Sequence, residues 1–202
     1  YIALLEYEKT ITPVDQEILK FVSSIIALEF AKSDAISKAR GHLGQELLGD
    51  LVKGNIGSEA IAKNRVKSLD WILGEYFQVV LIGNRENRPI GGEYYDSAQS
   101  IILRHLPASK IGFSTNYIVI LATGNSQDML KGVLPALKNF CILHYLCLGI
   151  GRSYKTLTEI SLSFKEAQKA LLLASSIERP GVVHYYEDLA VYDLLADVKS
   201  DY

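Results

Sequence analysis

Apolar positions recur along the first quarter of the chain at helical spacing, and later in short, strand-like runs. Thr12 and Pro13 form a favourable helix start, and the apolar positions that follow predict a long helix ending at Gly54. Ser58 starts a second, shorter helix. Residues 1–8, which precede the long helix, are apolar and predict a strand.

From residue 76 onward, the predicted elements alternate between strands and helices. Their order is strand, helix, strand, strand, helix, strand, followed by a further helix, strand and helix. The corresponding segments are 76–83, 93–106, 109–113, 116–123, 126–140, 144–151, 156–177, 181–188 and 189–198. In the segment 126–140, Pro135 predicts a kink or break. The βαββαβ order predicts an α+β protein with a ferredoxin-like sheet and packed helices, preceded by a strand and long linker helices.

Composition and charge narrow the functional classes. The chain has 202 residues, with 21 Lys and Arg against 23 Asp and Glu, and no basic face of the kind that grips DNA. Two cysteines are too few for a disulfide framework, and no apolar run is long enough to span a bilayer. We therefore expect a cytoplasmic protein with no membrane partner. Because the chain begins at Tyr1, within a predicted strand, we interpret it as a piece of a longer protein.

The string GGEYY at residues 91–95 lies close to Gly-Gly-Asp/Glu-Glu-Phe, the signature of enzymes that condense two GTP molecules into a cyclic dinucleotide. The catalytic domain of those enzymes has the same βαββαβ core, but its signature lies in the turn between the second and third strands. Here the string opens the first helix of the core, where Glu93 favours a helix start. We therefore interpret this match as coincidental.

The hairpin turn that corresponds to the cyclase signature reads Phe-Ser-Thr-Asn-Tyr at residues 113–117. Thr115 and Asn116 occupy the two acidic positions, and the end of the first strand reads Ile-Gly-Asn at 82–84 instead of supplying a carboxylate. Glu86 is a displaced substitute at best, and two-metal phosphoryl chemistry needs several anionic ligands. We expect a cyclase-like scaffold with no enzymatic activity, no catalytic residues, no bound metal and no cofactor.

The segment 148–195 closely resembles bacterial transcription regulators of the purine-catabolism (PucR) and sugar-diacid (CdaR) type. The motifs that carry the resemblance are Gly-x-Gly-Arg at 149–152, Ser-Phe-x-Glu-Ala at 163–167 and Tyr-Glu-Asp-Leu at 186–189. Ala190 stands where family members usually have Gly. The segment 42–55 is similar to the Leu-Leu-x-x-Leu region before the family's degenerate cyclase-like domain, and residues 1–32 resemble the end of a GAF-type sensory domain.

The resemblance implies the organisation and role of the chain. Residues 1–40 would be the remnant of a GAF-like sensory domain with its exit helix, 41–72 a helical linker, and 73–202 a degenerate cyclase-like (GGDEF-like) domain. The family's DNA-binding helix-turn-helix would follow Tyr202, so DNA would be bound only outside this chain. The resemblance therefore implies a region that transmits a signal or holds subunits together. The alternative is that the inactive cyclase fold still binds a nucleotide or metabolite as an effector.

Three groups of residues have more than one interpretation. Gly149, Gly151 and Arg152 suit an anion, but we favour the interpretation that the glycines permit a tight strand exit before the helix. The hairpin residues Ser114, Thr115 and Asn116 are further ligand candidates. The second group, Ile18, Val22 and Ile25, contains the candidates for a homodimer interface. The spacing of these three residues is also consistent with the core of the sensory remnant.

The third group is Cys141, His144 and Cys147, whose C-x-x-H-x-x-C spacing invites a metal interpretation. A structural metal site needs four ligands, and no fourth residue stands nearby in the sequence. His144 and Cys147 also fall on opposite faces of the predicted strand, so we favour buried structural roles.

Overall fold

The computed structural model describes residues 12–84, 86, 88–114, 116–176 and 182–189. Its helices are α1 Pro13–Lys53, α2 Glu59–Ser68, α3 Glu93–His105, α4 Leu134–Leu143 and α5 Ile160–Ser176. Its strands are β1 Tyr76–Gly83, β2 Lys110–Phe113, β3 Ile118–Gly124, β4 Cys147–Tyr154 and β5 Val183–Tyr185. The predicted strand at 1–8 lies outside the described residues, as does nearly all of the predicted helix at 189–198.

One sheet of five strands, in the order β2-β3-β1-β4-β5, organises the fold. The pairs β2–β3, β3–β1 and β1–β4 are antiparallel, whereas β5 runs parallel to β4 at the edge. This is the strand order of the split βαβ, ferredoxin-like arrangement with one added edge strand. The predicted α+β fold class is confirmed.

Helices cover both faces of the sheet. On one face, the end of α1 and helices α2 and α5 pack over β1 and β3, with Leu47, Leu51 and Leu81 fully buried. On the other face, α3 and α4 cover the alternate residues of the same strands, including Ile82 and Ile120. The long apolar runs of β1 and β3 follow from this two-sided burial, because most side chains along them pack under a helix layer.

A hydrogen-bonded cap at its start and a glycine after its end account for the limits of α1. Thr12 and Asp15 form a reciprocal cap, in which each side chain accepts a hydrogen bond from the other residue's backbone N–H, at 3.3 and 2.8 Å. Gly54 follows the helix with φ +73°, a conformation that favours glycine. Both ends match the sequence prediction.

Four predicted elements differ from the structure. Helix α4 begins at Leu134, not at residue 126, and Pro135 lies in its first turn without kinking it. Pro has no N–H to donate, and the first turn of a helix needs none. Strand β4 runs 147–154 instead of 144–151, and α5 begins at Ile160 instead of residue 156. Strand β5 stops at Tyr185, because residues 186–189 form a helical turn.

Two compact units divide the chain after Leu43. The first, residues 1–43, contains α1 up to Leu43. The second, residues 44–202, contains the sheet, the other helices and the last turns of α1. The predicted boundaries at residues 40 and 72 stay a prediction.

Candidate functional site

The sheet edge that corresponds to a cyclase active site is formed by the end of β1 and the turn between β2 and β3. Ile82 pairs with Ile118, so the residues that follow β1 lie beside this turn. Ser114 and Tyr117 exchange backbone hydrogen bonds of 2.8 and 3.3 Å, which closes the turn. The structure thus brings Ser114 and Asn116 to the predicted place, whereas Thr115 lies outside the described residues.

The polar side chains after β1 are engaged with their own loop. Asn84 accepts a hydrogen bond from the Arg88 backbone N–H at 2.8 Å and donates one to the Arg88 carbonyl at 3.0 Å. The Glu86 carboxylate forms a 2.6 Å ion pair with the Arg88 guanidinium. Asn84 and Glu86 therefore both contribute to closing this loop. Among the described residues, the structure shows no cluster of three or more His, Cys, Asp or Glu side chains suited to a metal ion.

A cleft of about 980 Å³ opens beside the hairpin turn, within the second unit. Its apolar lining includes Phe113 and Phe164, and its charged lining consists of Glu46, Asp50 and Lys53. Asp50 is paired with Arg65 at 2.6 Å. The cleft has the size of a small-molecule site, but the negative charges of its two carboxylates disfavour the binding of a polyphosphate.

The glycine of β2 shapes this cleft. A Cβ atom at Gly112 would lie 2.7 Å from Leu48 Cδ2 and 3.0 Å from Gln45 Oε1, so glycine lets the end of α1 approach the strand. The Gln45 amide donates to the Ile111 carbonyl at 2.8 Å, and the Tyr95 hydroxyl donates to the same oxygen at 3.0 Å. These bonds satisfy a carbonyl of the edge strand and fix Gln45 in the cleft wall.

A family model described as the GGDEF-like domain matches residues 53–173, which is more than half of the chain. The chain belongs to this family. No curated protein matches the chain at a significant level. The match covers the sheet from β1 to β4 and most of α5, and it ends before β5.

The string GGEYY at residues 91–95 lies at the start of helix α3 of the GGDEF-like domain. Gly92 is the N-cap of α3, and Glu93 and Asp96 occupy the first turn, where carboxylates complement the helix dipole. The prediction that this string opens a helix is therefore confirmed.

The candidate ligand residues Gly149 and Gly151 lie in β4 directly beneath α5. A Cβ atom at Gly149 would overlap the Ala167 carbonyl oxygen, and one at Gly151 would overlap that of Ser163. Glycine is therefore required at both positions for α5 to approach the sheet this closely. This geometry gives the two glycines a packing role.

A β-bulge aims Arg152 toward α5. Gln78 pairs with Ser153, but Val80 pairs with Ile150, so β4 has one residue more than β1 in this interval. The extra residue interrupts the ladder, and the Val79 N–H is bonded instead to the Ser163 hydroxyl oxygen at 2.9 Å. The same hydroxyl donates to the Arg152 carbonyl at 2.7 Å.

The Glu166 carboxylate, which is nearly buried, receives three hydrogen bonds. The Arg152 backbone N–H donates at 2.8 Å, its guanidinium Nε at 2.9 Å, and the Tyr154 hydroxyl at 2.8 Å. The Arg152 guanidinium carbon also lies 5.1 Å from the centre of the Tyr186 ring, in cation–π contact. Arg152 thus joins β4, α5 and the turn after β5, and it was proposed from sequence only as an anion ligand.

Burial and the bond to Glu166 raise the pKa of Tyr154 to about 12, so the phenol remains protonated and continues to donate. For Arg152, burial lowers the pKa, but the nearby Glu166 carboxylate and other groups outweigh it, and the net shift is upward. The Arg152 guanidinium therefore stays charged throughout the physiological pH range.

The three members of the Cys-x-x-His-x-x-Cys string fall in different elements. Cys141 lies in α4, Cys147 begins β4, and both are buried free thiols. His144 is the C-cap of α4 and contacts the Phe140 ring, with a centroid distance of 4.8 Å. The expectation that His144 and Cys147 share a strand is wrong, because α4 and its cap extend through His144.

The candidate dimer residues Ile18, Val22 and Ile25 lie on α1 in the first unit, and all three are exposed. Within the part of the chain that the structure describes, no helix is both long enough and apolar enough to cross a membrane.

Sequence reasoning missed the network around Glu166, although all three resemblance motifs contribute to it. Arg152 comes from the first motif, Ser163 and Glu166 from the second, and Tyr186 from the third. The available signal was the opposite charge of Arg152 in the first motif and Glu166 in the second, because the fold places these motifs on the neighbouring elements β4 and α5.

Proposed function

We propose that this chain is the signal-transmission and dimerisation region of a cytoplasmic transcription regulator of the PucR/CdaR type. Its GGDEF-like domain serves as a non-enzymatic scaffold, and DNA is bound by a helix-turn-helix outside this chain. The first 40 residues would be the end of a GAF-like sensory domain. The motif resemblance supports the regulator assignment, and one structural observation supports the pairing of two subunits.

That observation is a stripe of exposed apolar side chains on α1. At 100° per residue, seven large apolar residues of the first unit fall within a sector of about 80°. Each keeps between 47% and 69% of its surface exposed; they are Val14, Ile18, Phe21, Ile25, Leu28, Ile36 and Leu43. A narrow stripe of this kind is typical of the seam of a coiled coil. A second copy of the same helix would cover it.

The spacing of the stripe indicates how two copies would pair. From Val14 to Leu28 the residues follow the alternating four- and three-residue steps of a heptad. The step from Ile25 to Ile36 is eleven residues long, which is a heptad plus four, and such an insertion locally unwinds a left-handed coil. Val22 lies beside the seam, not within it. The proposed core of the interface is therefore Ile18 and Ile25.

The absence of enzymatic activity is a separate part of the proposal. At the sheet edge, the positions that should hold metal carboxylates carry Asn84 and Asn116, and the Asn84 side chain is bonded to the Arg88 backbone. Neutral amides do not offset the charge of two metal-bound phosphates. We therefore expect no turnover of GTP with Mg²⁺ or Mn²⁺.

Light scattering coupled to gel filtration tests the pairing on the full chain. We expect twice the monomer mass for the native protein and the monomer mass for the double variant Ile18→Glu/Ile25→Glu. Two unpaired carboxylates in an apolar seam should weaken association by about 100-fold or more. Gln16→Glu is the matched control, because it adds a carboxylate on the opposite side of the same helix and should leave the dimer intact.

A native protein that stays monomeric at high micromolar concentration would refute the pairing. A double variant that keeps the dimer would also refute it, since the interface would then lie elsewhere. Far-ultraviolet circular dichroism separates loss of pairing from loss of the sheet domain. The latter lies in a different compact unit and should retain its signal.

The cleft beside the hairpin supports a second candidate, an effector-binding function. Its size, its two phenylalanine side chains and its mixed polar lining suit a small metabolite with little negative charge. Calorimetric titration with GTP, cyclic di-GMP, purines and sugar acids, with and without Mg²⁺, tests this candidate. Binding that Phe113→Ala removes would assign the ligand to the cleft. The exposed Leu143, which does not line the cleft, provides the control variant Leu143→Ala.

A further inference from the structure

The segment 183–189, which we call the exit segment, packs on the domain through β5 and through the helical turn that follows it. Its strand β5 has three residues and, in the part of the chain that the structure describes, pairs with β4 alone. Beyond β5, Tyr186 and Leu189 form a small separate cluster with Ala170 and Leu173 of α5. Val183 and Tyr185 also pack against the core between the sheet and helices α3 and α4, and the contact of Arg152 with Tyr186 adds a charged anchor to this packing.

We propose that Arg152 is a lock that holds the exit segment against the domain through Tyr186. The Arg152 backbone is fixed first, because its N–H donates to Glu166 and its carbonyl accepts from Ser163. The guanidinium is then oriented by the 2.9 Å ion pair with Glu166. With one edge on the carboxylate, its carbon lies 5.1 Å from the centre of the Tyr186 ring.

The chemistry of arginine suits this double contact. Its planar guanidinium can bond a carboxylate along one edge while its face stacks on an aromatic ring, which a lysine ammonium cannot do. The side chain of Arg152 is about half exposed, whereas Glu166 is nearly buried. Arg152 is therefore the member of the lock that reaches the surface, whereas Tyr186 and Glu166 are buried.

The consequence is a change in the exit segment that leaves the sheet intact. When the Arg152–Tyr186 contact breaks, β5 and the following turn lose an anchor, whereas β1, β3 and β4 keep theirs. The residues after Leu189 are covalently joined to the domain by this segment. The lock does not depend on the proposed pairing of subunits, because no residue of the apolar stripe on α1 takes part.

Hydrogen exchange measured by mass spectrometry on the full chain tests the lock. In Arg152→Met, the amides of 183–189 should exchange about tenfold faster than in the native protein, while those of β3 stay unchanged. Arg65→Met is the matched control. It breaks an ion pair of 2.6 Å with Asp50 in the same unit and should leave the exit segment unaffected.

A double-variant cycle shows whether Tyr186 is the partner. Tyr186→Leu should also accelerate exchange in the exit segment, and Arg152→Met in that background should add little, because both changes remove one contact. Fully additive effects would overturn the proposal. Unchanged exchange in Arg152→Met, or faster exchange over the whole sheet, would overturn it as well.

A measurement on the native protein keeps the test decisive if Arg152→Met fails to fold. Raising salt from about 0.05 to about 0.5 M screens a half-exposed ion pair. It should accelerate exchange selectively in 183–189. Uniform or absent salt dependence would contradict the lock.

Discussion

Replacing Gly151 by Ala tests the packing of α5 on the sheet most directly. The added methyl group would overlap the Ser163 carbonyl oxygen and would lie 2.7 Å from the Ser163 hydroxyl oxygen. Helix α5 must then move away, and overpacking of this kind costs about 1–3 kcal/mol. The same movement breaks the bond between Ser163 and the Val79 N–H, and an unsatisfied buried donor costs about 1–3 kcal/mol more.

The net loss in the free energy of unfolding should be smaller than the sum of the upper limits of these two costs. Ala reduces the conformational freedom of the unfolded chain, which returns about 0.4–1 kcal/mol. We therefore expect Gly151→Ala to lower the free energy of unfolding by about 3 kcal/mol, a large share of the stability of a domain this size.

Urea unfolding followed by circular dichroism measures this loss, and Gly49→Ala is the control. Gly49 lies within α1, in the same compact unit, and a Cβ atom there would meet nothing within 4 Å. Ala at that position should stabilise the protein by about 0.5–1 kcal/mol, because it favours the helix. If Gly151→Ala stays within about 0.5 kcal/mol of the native protein, the close approach of α5 to β4 is not a stability determinant and the packing argument fails.

Three further predictions follow from single residues. Tyr145 has φ +57° after the end of α4 and is almost fully exposed. Tyr145→Gly should therefore raise the free energy of unfolding by about 0.5–1 kcal/mol in the same urea assay. A lower free energy of unfolding would show instead that the tyrosine ring stabilises the fold. The pKa of Tyr154 is raised to about 12 from an ordinary value of 10.0, so its contribution to stability is complete below pH 10 and is lost as the pH rises toward 12. In Tyr154→Phe, the free energy of unfolding should therefore fall less steeply over this pH range than in the native protein. The same steepness in both proteins would contradict this prediction. Burial raises the pKa of Cys141 to about 12, so the native thiol should react with a disulfide reagent only after unfolding, and rapid native labelling of Cys141 would contradict its burial.

The strands and helices of the core could be predicted from the sequence where the pattern was long and continuous. Strand β1 was predicted at 76–83 and lies at Tyr76–Gly83, because a run of eight residues with Gln78 as its one polar member suits a strand covered on both faces. Helix α3 was similarly clear, with carboxylates in its first turn and Pro107 after its end. In both segments, local preference and tertiary packing favour the same structure.

The start of α4 and the end of β5 could not be predicted as easily, because local patterns there fit two structures. Residues before Leu134 form successive turns, such as the bond from the Lys131 N–H to the Asp128 carbonyl, and their composition also suits a helix. At the other position, Tyr186 and Leu189 both pack on α5. A spacing of three residues on one face is helical, so this signal was present in a segment predicted as strand up to residue 188.

The role of Arg152 shows why the candidate site was the hardest part to predict. Strict alternation along β4 would place Gly151 and Arg152 on opposite faces of the sheet, and this expectation favours a free arginine at a strand exit. The bulge adds one residue opposite Val79 and turns Arg152 toward the same helix that covers Gly151. Nothing in the spacing of a single strand reveals a bulge, because it depends on the register with β1. The glycine, the bulge and the carboxylate of Glu166 therefore act together, and only their combination brings Arg152 to Tyr186.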